Sequence, residues 1–177
     1  MQNHDHILLI GPMGAGKSTL GLALAALLGR TLLDVDAQIV MTAGKPIPVI
    51  FEEEGEAGFR ERETQALRDL INAPAAVIAT GGGAVLREKN RRIMRAAGIV
   101  VYLQVAPDIQ LQRIAGDANR PLLHTDNPAQ RLADLQAQRE PLYRSSAQLY
   151  FDTSTLDPQA AAATLAAQIA SFKAQHA

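Results

Sequence analysis

The sequence predicts an α/β protein in which helices cover both faces of a five-stranded parallel β-sheet, giving three layers (α/β/α). The first observation is that several short segments are continuously apolar, as strands buried on both faces are. These predicted strands are residues 6–10, 31–34, 76–80, 99–105 and 149–152. The second observation is that helical segments separate the strands, and this alternation is typical of a parallel sheet.

A phosphate-binding loop is predicted directly after the first strand. Residues 11–19 read GPMGAGKST and fit the pattern G-x-x-x-x-G-K-[ST], with a helix over 18–28 behind them. The glycines let backbone N–H groups approach an anion, and the helix N-terminus adds partial positive charge. We expect Lys17 to bind the β- and γ-phosphates of a nucleotide and Ser18 to bind Mg²⁺. The candidate nucleotide-binding residues of this loop are Gly14, Ala15, Gly16, Lys17, Ser18 and Thr19.

Glycine, proline and capping residues mark the predicted helices. The first helix ends at Gly29, which suits a left-handed cap. Two short helical pieces flank residues 44–46 and precede a longer helix over 57–72. Later helices are predicted over about 87–97, from 107, over 128 to about 139, and from 158 onward. Asp157 is the expected N-cap of the last helix, with Pro158 in its first turn.

Length and composition limit the classes of protein. The 177 residues, of which 47% are hydrophobic and 20% charged, suit one soluble domain over 1–177. The net charge of −1 gives no reason to expect nucleic acid or an anionic membrane as a partner. The absence of cysteine excludes disulfides and thiolate metal sites. Without a signal peptide or an apolar stretch of bilayer length, we expect a cytoplasmic protein.

Two aspartates close the second predicted strand, and parallel sheets place functional loops at such strand ends. Asp34 and Asp36 are two residues apart, so in an extended chain both side chains point to the same side. One reading assigns one carboxylate to Mg²⁺ and the other to a hydroxyl that is to be phosphorylated. The alternative reading is a helix N-cap beside a solvated turn residue. The phosphate-binding loop nearby favours the first reading.

Charged residues and a glycine run form the second group of candidates. Arg60 and Glu63 are spaced i, i+3 on one helix turn, and Arg139 lies far away in the sequence. They are either exposed ion pairs, which contribute little, or part of a fork that holds a substrate carboxylate. The triple glycine at 81–83 is either a loose turn or a loop whose backbone approaches a ligand.

A polar loop broken by glycine and proline is predicted over 116–127. Arg113 and Arg120 flank it, and each is either an arginine that closes over the nucleotide or a solvated side chain. The four histidines have no metal-ligand spacing and are expected at the surface: His4, His6, His124 and His176.

With these pieces assembled, the chain resembles a shikimate kinase from about residue 8 to residue 158. The matching pieces are GPMGAGKST, the Asp34-x-Asp36 pair, the F-R-x-x-E piece with Arg60, ATGGGAVL at 79–86, NRPLL at 119–123 and the R-x-x-L-Y piece with Arg139. The phosphate-binding loop occurs in many protein families, whereas the other pieces in this order are specific to this one.

The resemblance implies a nucleoside-monophosphate-kinase-like core with strand order 2-3-1-4-5. It implies ATP- and Mg²⁺-dependent phosphorylation of the 3-hydroxyl of shikimate, on the route to chorismate and the aromatic amino acids, by a monomer. A helical region over about 36–62 would bind shikimate, and a lid over about 115–127 would cover the nucleotide. Carried over by motif, the shikimate-binding residues are Asp36, Arg60, Gly82 and Arg139.

The same resemblance assigns the nucleotide side of the site. Asp34 would reach Mg²⁺ beside Ser18, Arg120 in the lid would meet the phosphates, and Arg113 would lie near the adenine. The residues expected to act in catalysis are Lys17, Asp36 and Arg120.

Two other functions remain open from the sequence. One is a related small-molecule kinase for gluconate or a nucleoside monophosphate, although Asp36 with two arginines favours a hydroxy acid. The other is an ATP-binding regulatory module without useful turnover. No N-K-x-D or D-x-x-G segment occurs where a GTPase would need it.

Overall fold

The computed structural model describes residues 5–115, 125–155 and 157–177, and five parallel strands form its sheet. The strands are β1 His6–Ile10, β2 Leu32–Asp34, β3 Val77–Ala79, β4 Gly98–Gln104 and β5 Leu149–Asp152. Their order across the sheet is β2-β3-β1-β4-β5. This confirms the predicted α/β class, all five strands and the order 2-3-1-4-5.

The central strand β1 fixes the register of the sheet. Leu8 pairs with Ile78 of β3 on one side and with Val100 of β4 on the other. All five residues of β1 are buried. A strand of this kind lies between two neighbours and under helices on both faces, which explains why its sequence is apolar without alternation.

Seven helices and one short 3₁₀ turn surround the sheet in the described part of the chain. The helices are α1 Lys17–Leu27, α2 Val35–Ala43, α3 Ile47–Leu70, α4 Glu88–Ala97, α5 Pro107–Ile114, α6 Pro128–Ser146 and α7 Pro158–Gln175, and the 3₁₀ turn is Ala84–Leu86. Asp157 caps α7 as predicted, because its Oδ1 accepts the N–H of Ala160 at 2.9 Å. Across the described residues, no helix combines the length and apolarity that crossing a membrane requires.

Two hydrophobic clusters lie on opposite faces of the sheet, which confirms the three layers. Alternate residues of β1 point to opposite faces. Leu8 and Ile10 belong to the cluster under α2, α3, α4 and α6, whereas Ile7 and Leu9 belong to the cluster under α1 and α7. The first cluster also holds Tyr143 of α6, which is important for the site described below.

Helix α6 is longer than predicted. The sequence suggested an end near Arg139, but the helix continues to Ser146 with Pro141 inside it. Proline has no N–H to donate and therefore costs the helix a hydrogen bond. The burial of Tyr143 and Ser146 after the proline offsets that cost.

Helix α3 joins two predicted pieces. It runs from Ile47 to Leu70, and the break that the sequence suggested before residue 57 is present as a kink and not as a loop. The join is a kink at Gly55, whose φ of 70° and ψ of −176° are not helical. Glycine adopts this backbone conformation without the strain that a Cβ would bring.

His6 corrects the expectation that the histidines lie at the surface. It is only 1% exposed, in the first residue of β1. Its Nδ1 accepts the N–H of Ala76 at 3.2 Å, so its Nε2 carries the proton and donates to the carbonyl of Ile71 at 3.1 Å. His176 is exposed as expected, and His4 and His124 lie outside the described residues.

Candidate active site

A cavity of about 540 Å³ opens at the carboxyl ends of β1, β2 and β3. Parallel α/β sheets place ligand sites at this edge. The lining residues are Met13, Gly14, Ala15, Gly16, Lys17, Ser18, Thr19, Leu20, Asp34, Asp36, Thr80, Gly81, Gly82, Arg113, Thr153, Pro158 and Ala161. All six predicted residues of the phosphate-binding loop are among them, together with both aspartates.

The phosphate-binding loop depends on glycines at two tight positions. Gly14 and Gly16 have φ of 77° and 86°, in the left-handed region. A Cβ on Gly14 would also approach Ile114 to 2.9 Å. Lys17 begins α1 and folds back over the loop, where its Nζ donates to the carbonyls of Gly11 at 2.7 Å and Pro12 at 2.8 Å. The ammonium therefore stands beside the anion-binding backbone.

Helix α5 and the end of β5 hold this loop in place. Arg113 donates from Nη1 to the carbonyl of Gly14 at 3.1 Å and from Nη2 to the carbonyl of Thr153 at 2.6 Å. The hydroxyl of Thr153 donates to the carbonyl of Ala15 at 2.7 Å, and Gln110 donates to that of Met13 at 2.8 Å. Arg113 is thus tied to the loop and is not a freely solvated side chain.

Thr153 and Gln110 were missed by the sequence reasoning. The strand-end rule was used for the aspartates after β2, whereas the segment after β5 was given no functional role. Thr153 directly follows β5 and would have been found by it. Gln110 lies in mid-helix and carries no motif, so no feature of the sequence distinguishes it.

Asp34 combines the two readings that the sequence left open. It is the N-cap of α2, with Oδ1 accepting the N–H of Ala37 at 3.0 Å. Its Oδ2 accepts the hydroxyl of Ser18 at 2.9 Å. A carboxylate and a hydroxyl oxygen side by side at the cavity wall are hard oxygen ligands of the kind that Mg²⁺ prefers. The residues present therefore fit a magnesium ion.

Asp36 reaches the cavity for a different reason from the one predicted. The argument assumed an extended chain, but α2 begins at Val35, so Asp36 lies in the first helical turn. Its carboxylate faces Gly81 of the loop after β3, where a Cβ would lie 3.1 Å from Oδ1. The same Cβ position is 3.1 Å from Oε2 of Glu63. Two carboxylates therefore meet at Gly81.

Arg60, Glu63 and Arg139 are not exposed ion-pair residues. They are 7%, 0% and 5% exposed. Nη1 of Arg60 donates to Oε1 of Glu63 at 2.9 Å, and Glu56 at 3.5 Å is a second partner of Arg60. Burial raises the pKa of the Glu63 carboxyl, and nearby Asp36 adds to this, whereas Arg60 and Arg139 oppose it.

Several buried polar atoms around this pair have no hydrogen-bond partner among the described residues. They are Nε of Arg60, Nε of Arg139 and Oε2 of Glu63. Leaving such atoms unpaired is costly, and functional sites are where this cost is tolerated. Three unpaired polar atoms on residues that pack against the glycine loop at 81–83 favour a polar ligand beside that loop.

The triple glycine packs against both arginines, so it is not a loose turn. A Cβ on Gly82 would lie 3.3 Å from Nη1 of Arg139, and one on Gly83 would collide with the guanidinium of Arg60. The structure therefore brings together four of the predicted site residues around this loop: Asp36, Arg60, Gly82 and Arg139. Arg120 and most of the predicted lid over 115–127 lie outside the described residues.

A parallel sheet in the order 2-3-1-4-5, with a phosphate-binding loop after β1 and a charged pocket beside it, defines a P-loop kinase core. The model of the family "Shikimate kinase" matches residues 13–170. The chain belongs to the shikimate kinase family, which makes it a phosphotransferase.

Individual relatives are similar over nearly the whole chain. The shikimate kinase of Chromohalobacter salexigens is 52% identical over 160 residues, which are 90% of this chain and 89% of that one. Among solved structures, a shikimate kinase from Acinetobacter baumannii in complex with shikimate has a TM-score of 0.93 at 47% identity. The alignment covers 97% of this chain and 96% of that one.

A gluconokinase from Sinorhizobium meliloti shares the fold alone. Its structure has a TM-score of 0.54 at 18% identity over 96% of this chain and 97% of that one.

Proposed function

We propose that this chain transfers the γ-phosphoryl group of ATP to the 3-hydroxyl of shikimate. The observation that carries the proposal is the pair of buried arginines, Arg60 and Arg139, behind the triple glycine and beside Asp36. Shikimate carries a carboxylate and several hydroxyls, which are the groups that guanidinium ions and an aspartate recognise. The phosphate-binding loop lines one cavity together with Asp36, Gly81 and Gly82, which supports a meeting of donor and acceptor there.

On the acceptor side, the two arginines bind the shikimate carboxylate and the backbone of Gly82 approaches the ring. Asp36 accepts a hydrogen bond from the 3-hydroxyl and takes its proton as the oxygen attacks the γ-phosphorus. The bond from the γ-phosphorus to the β,γ-bridging oxygen breaks, and ADP leaves. Two glycines without side chains, Gly81 and Gly82, leave room for the acceptor beside these groups.

On the nucleotide side, the loop residues Gly14 to Thr19 bind the phosphates through backbone N–H groups. When the nucleotide binds, the Lys17 ammonium gives up its hydrogen bonds to the two loop carbonyls and donates to phosphate oxygens instead. There it stabilises the negative charge of the phosphoryl group during transfer. Arg113, which already lines the cavity, contacts the adenine end. Arg120 meets the phosphates from the lid.

The proposal includes Mg²⁺ because side-chain oxygens of Ser18 and Asp34 lie next to each other at the cavity wall. When bound, the ion neutralises phosphate charge during transfer. Ser18 would supply a hydroxyl oxygen to it, and Asp34, which accepts the hydrogen bond of that hydroxyl, would help to hold it.

The remaining expectations belong to the same proposal. All five strands, from His6–Ile10 to Leu149–Asp152, belong to one sheet, which supports a single kinase domain over 1–177. The proposal also includes action as a monomer, and light scattering of the active enzyme tests this. We place the enzyme in the cytoplasm, where ATP is abundant, with the lid at about 115–127 and the shikimate-binding helices at about 36–62.

A coupled assay of ADP release tests the acceptor. Shikimate, gluconate and AMP are supplied in parallel with ATP and Mg²⁺, and a blank without acceptor measures ATP hydrolysis. We expect rapid ADP release with shikimate only. Faster turnover with gluconate or AMP assigns the chain to another acceptor, and ATP binding without turnover on any of them marks a regulatory module.

A further inference from the structure

The tyrosine that ends the R-x-x-L-Y piece makes a contact that the proposed function does not use. Tyr143 is completely buried in α6. Its hydroxyl donates to the carbonyl of Gly82 at 2.5 Å, across 61 residues of sequence. Gly82 belongs to the cavity wall, so the contact joins α6 directly to the site.

Two residues of α6 converge on this one glycine. Arg139 and Tyr143 are four residues apart and lie on the same helix face. Arg139 lies close to Gly82, because a Cβ built on Gly82 would be 3.3 Å from Nη1 of Arg139. Helix α6 therefore holds the glycine loop with two groups. One is the guanidinium of Arg139, which the proposed function assigns to substrate binding, and the other is the neutral hydroxyl of Tyr143.

The tyrosine ring is itself fixed by the sheet. It stacks on Tyr102 of β4, with ring centroids 5.0 Å apart and planes 23° apart. Burial raises the pKa of the Tyr143 hydroxyl, with Arg139 opposing this, so the phenol keeps the proton that it donates. A hydroxyl on a ring packed against a central strand has little freedom to move.

We propose that Tyr143 is a positioning residue for the acceptor: its hydroxyl fixes the Gly82 peptide so that the triple glycine and Arg139 keep the geometry that binds the substrate. The proposal rests on the proposed function for the location of the acceptor. Without the Tyr143 hydroxyl, the Gly82 carbonyl would rotate towards another hydrogen-bond donor, because an unpaired buried carbonyl is costly. The rotation of this peptide would also move the N–H groups next to it. The nucleotide side should change less, because the Tyr143 hydroxyl donates to Gly82 and not to the phosphate-binding loop, which a Cβ on Gly82 would approach only to 3.6 Å at Met13 and 3.7 Å at Gly11.

The test is Tyr143→Phe, with Tyr102→Phe as the matched control. Each change removes one phenol oxygen and keeps the aromatic ring, so the two rings can still stack. The Tyr102 side chain is also buried, and its hydroxyl accepts a hydrogen bond from Nε2 of Gln136 at 2.9 Å, whereas the Tyr143 hydroxyl donates to the glycine loop. Steady-state kinetics give KM for shikimate, KM for ATP and kcat, and melting temperatures report the loss of stability.

For Tyr143→Phe we expect KM for shikimate to rise about tenfold, with KM for ATP within about twofold of wild type. The control should keep both KM values within about twofold. If Tyr143→Phe lowers the melting temperature but leaves KM for shikimate unchanged, the residue is only structural and the proposal is overturned. A rise in KM for shikimate in the control as large as in Tyr143→Phe also overturns it.

A second measurement covers the case in which Tyr143→Phe is too unstable for kinetics. In a thermal unfolding scan, saturating shikimate and saturating ADP each raise the melting temperature of a protein that binds them. We expect Tyr143→Phe to lose most of the shikimate-induced rise and to keep the ADP-induced rise, and equal retention of both overturns the proposal. A wild-type protein that does not phosphorylate shikimate refutes the proposed function itself, which is a separate result.

Discussion

Arg60 and Glu63 form an ion pair that is closed off from solvent, with Nη1 of the arginine 2.9 Å from Oε1 of the glutamate. The second oxygen of Glu63 faces the position where a Cβ of Gly81 would lie, and so does the carboxylate of Asp36. An ion pair of this kind repays the cost of burying its charges only with good geometry. We therefore infer that the pair holds one guanidinium in a fixed place beside the glycine loop more than it adds stability.

The titration of Glu63 gives the first prediction. Because its pKa is raised in the folded protein, the folded state binds a proton that the unfolded state releases once the pH exceeds about 4.5. The free energy of unfolding then falls as the pH rises through the window from there to the folded pKa. Glu63→Gln removes this dependence, so its stability should fall less steeply with pH than that of wild type, by up to about 1.4 kcal/mol per pH unit.

Urea unfolding from pH 5 to pH 8 measures this difference. Glu52→Gln is the matched control for the loss of one carboxyl, because Glu52 is exposed on the same helix. If the free energy of unfolding depends on pH equally in wild type and Glu63→Gln, burial does not raise the pKa of the Glu63 carboxyl in the folded protein.

The sheet was predictable because its signals are local. Strand β1 is a run of five buried residues, and a strand covered on both faces has no polar position to interrupt it. The phosphate-binding loop was predictable for the same reason, since its glycines and Lys17 are adjacent in sequence. A strand followed by that loop and a helix needs no distant contact to be recognised.

The acceptor side was harder to predict because distant contacts decide it. Nothing near Arg139 in sequence shows that Gly82 lies against it, and α6 passes through Pro141 only because later residues are buried. The sequence near His6 is polar and suggests an exposed residue, but Ala76, the residue before β3, donates its N–H to the buried ring. Asp36 was assigned to the site on the assumption of an extended strand, although a helix places it there.

Asp34 gives the second prediction because its two oxygens have separate tasks. Asparagine caps helices about as well as aspartate, so Asp34→Asn should change the free energy of unfolding by no more than about 0.5 kcal/mol. The change removes the negative charge beside Ser18. We expect the Mg²⁺ concentration for half-maximal activity to rise about tenfold or more, since a charged ligand group is lost.

Titration of activity with Mg²⁺ measures this effect. Asp157→Asn is the control, because Asp157 caps α7 in the same way and is not among the residues that line the cavity. An unchanged Mg²⁺ requirement in Asp34→Asn would mean that Asp34 acts only as a helix cap.

Lys17 gives the third prediction. In Lys17→Met the side chain keeps its length but loses its charge and two hydrogen bonds to loop carbonyls. The charge serves the transferring phosphoryl group, so kcat should fall about 100-fold or more while the circular dichroism spectrum stays as in wild type. Lys89→Met, at an exposed position of α4, is the control for the loss of a lysine. Near-normal turnover in Lys17→Met would contradict the role of the loop in transfer.

The last prediction separates recognition of the carboxylate from folding at Arg60. Arg60→Ala should weaken shikimate binding roughly ten- to a hundredfold and leave ATP binding unchanged, because a charge-assisted hydrogen bond contributes about 1.5–3 kcal/mol. Arg60→Lys keeps a positive charge beside Glu63, so it should fold as wild type does, yet it cannot form the planar fork and should also bind shikimate poorly.

Binding is measured by calorimetry with shikimate and with an analogue that lacks the carboxylate. Wild type should discriminate strongly against the analogue, whereas Arg60→Ala should bind both with similar affinity. Arg62→Ala is the control, since Arg62 is two residues further along α3 and pairs with Glu54 away from the cavity. If wild type and Arg60→Ala prefer shikimate over the analogue by the same factor, Arg60 does not bind the carboxylate, and Arg139 alone carries that part of the site.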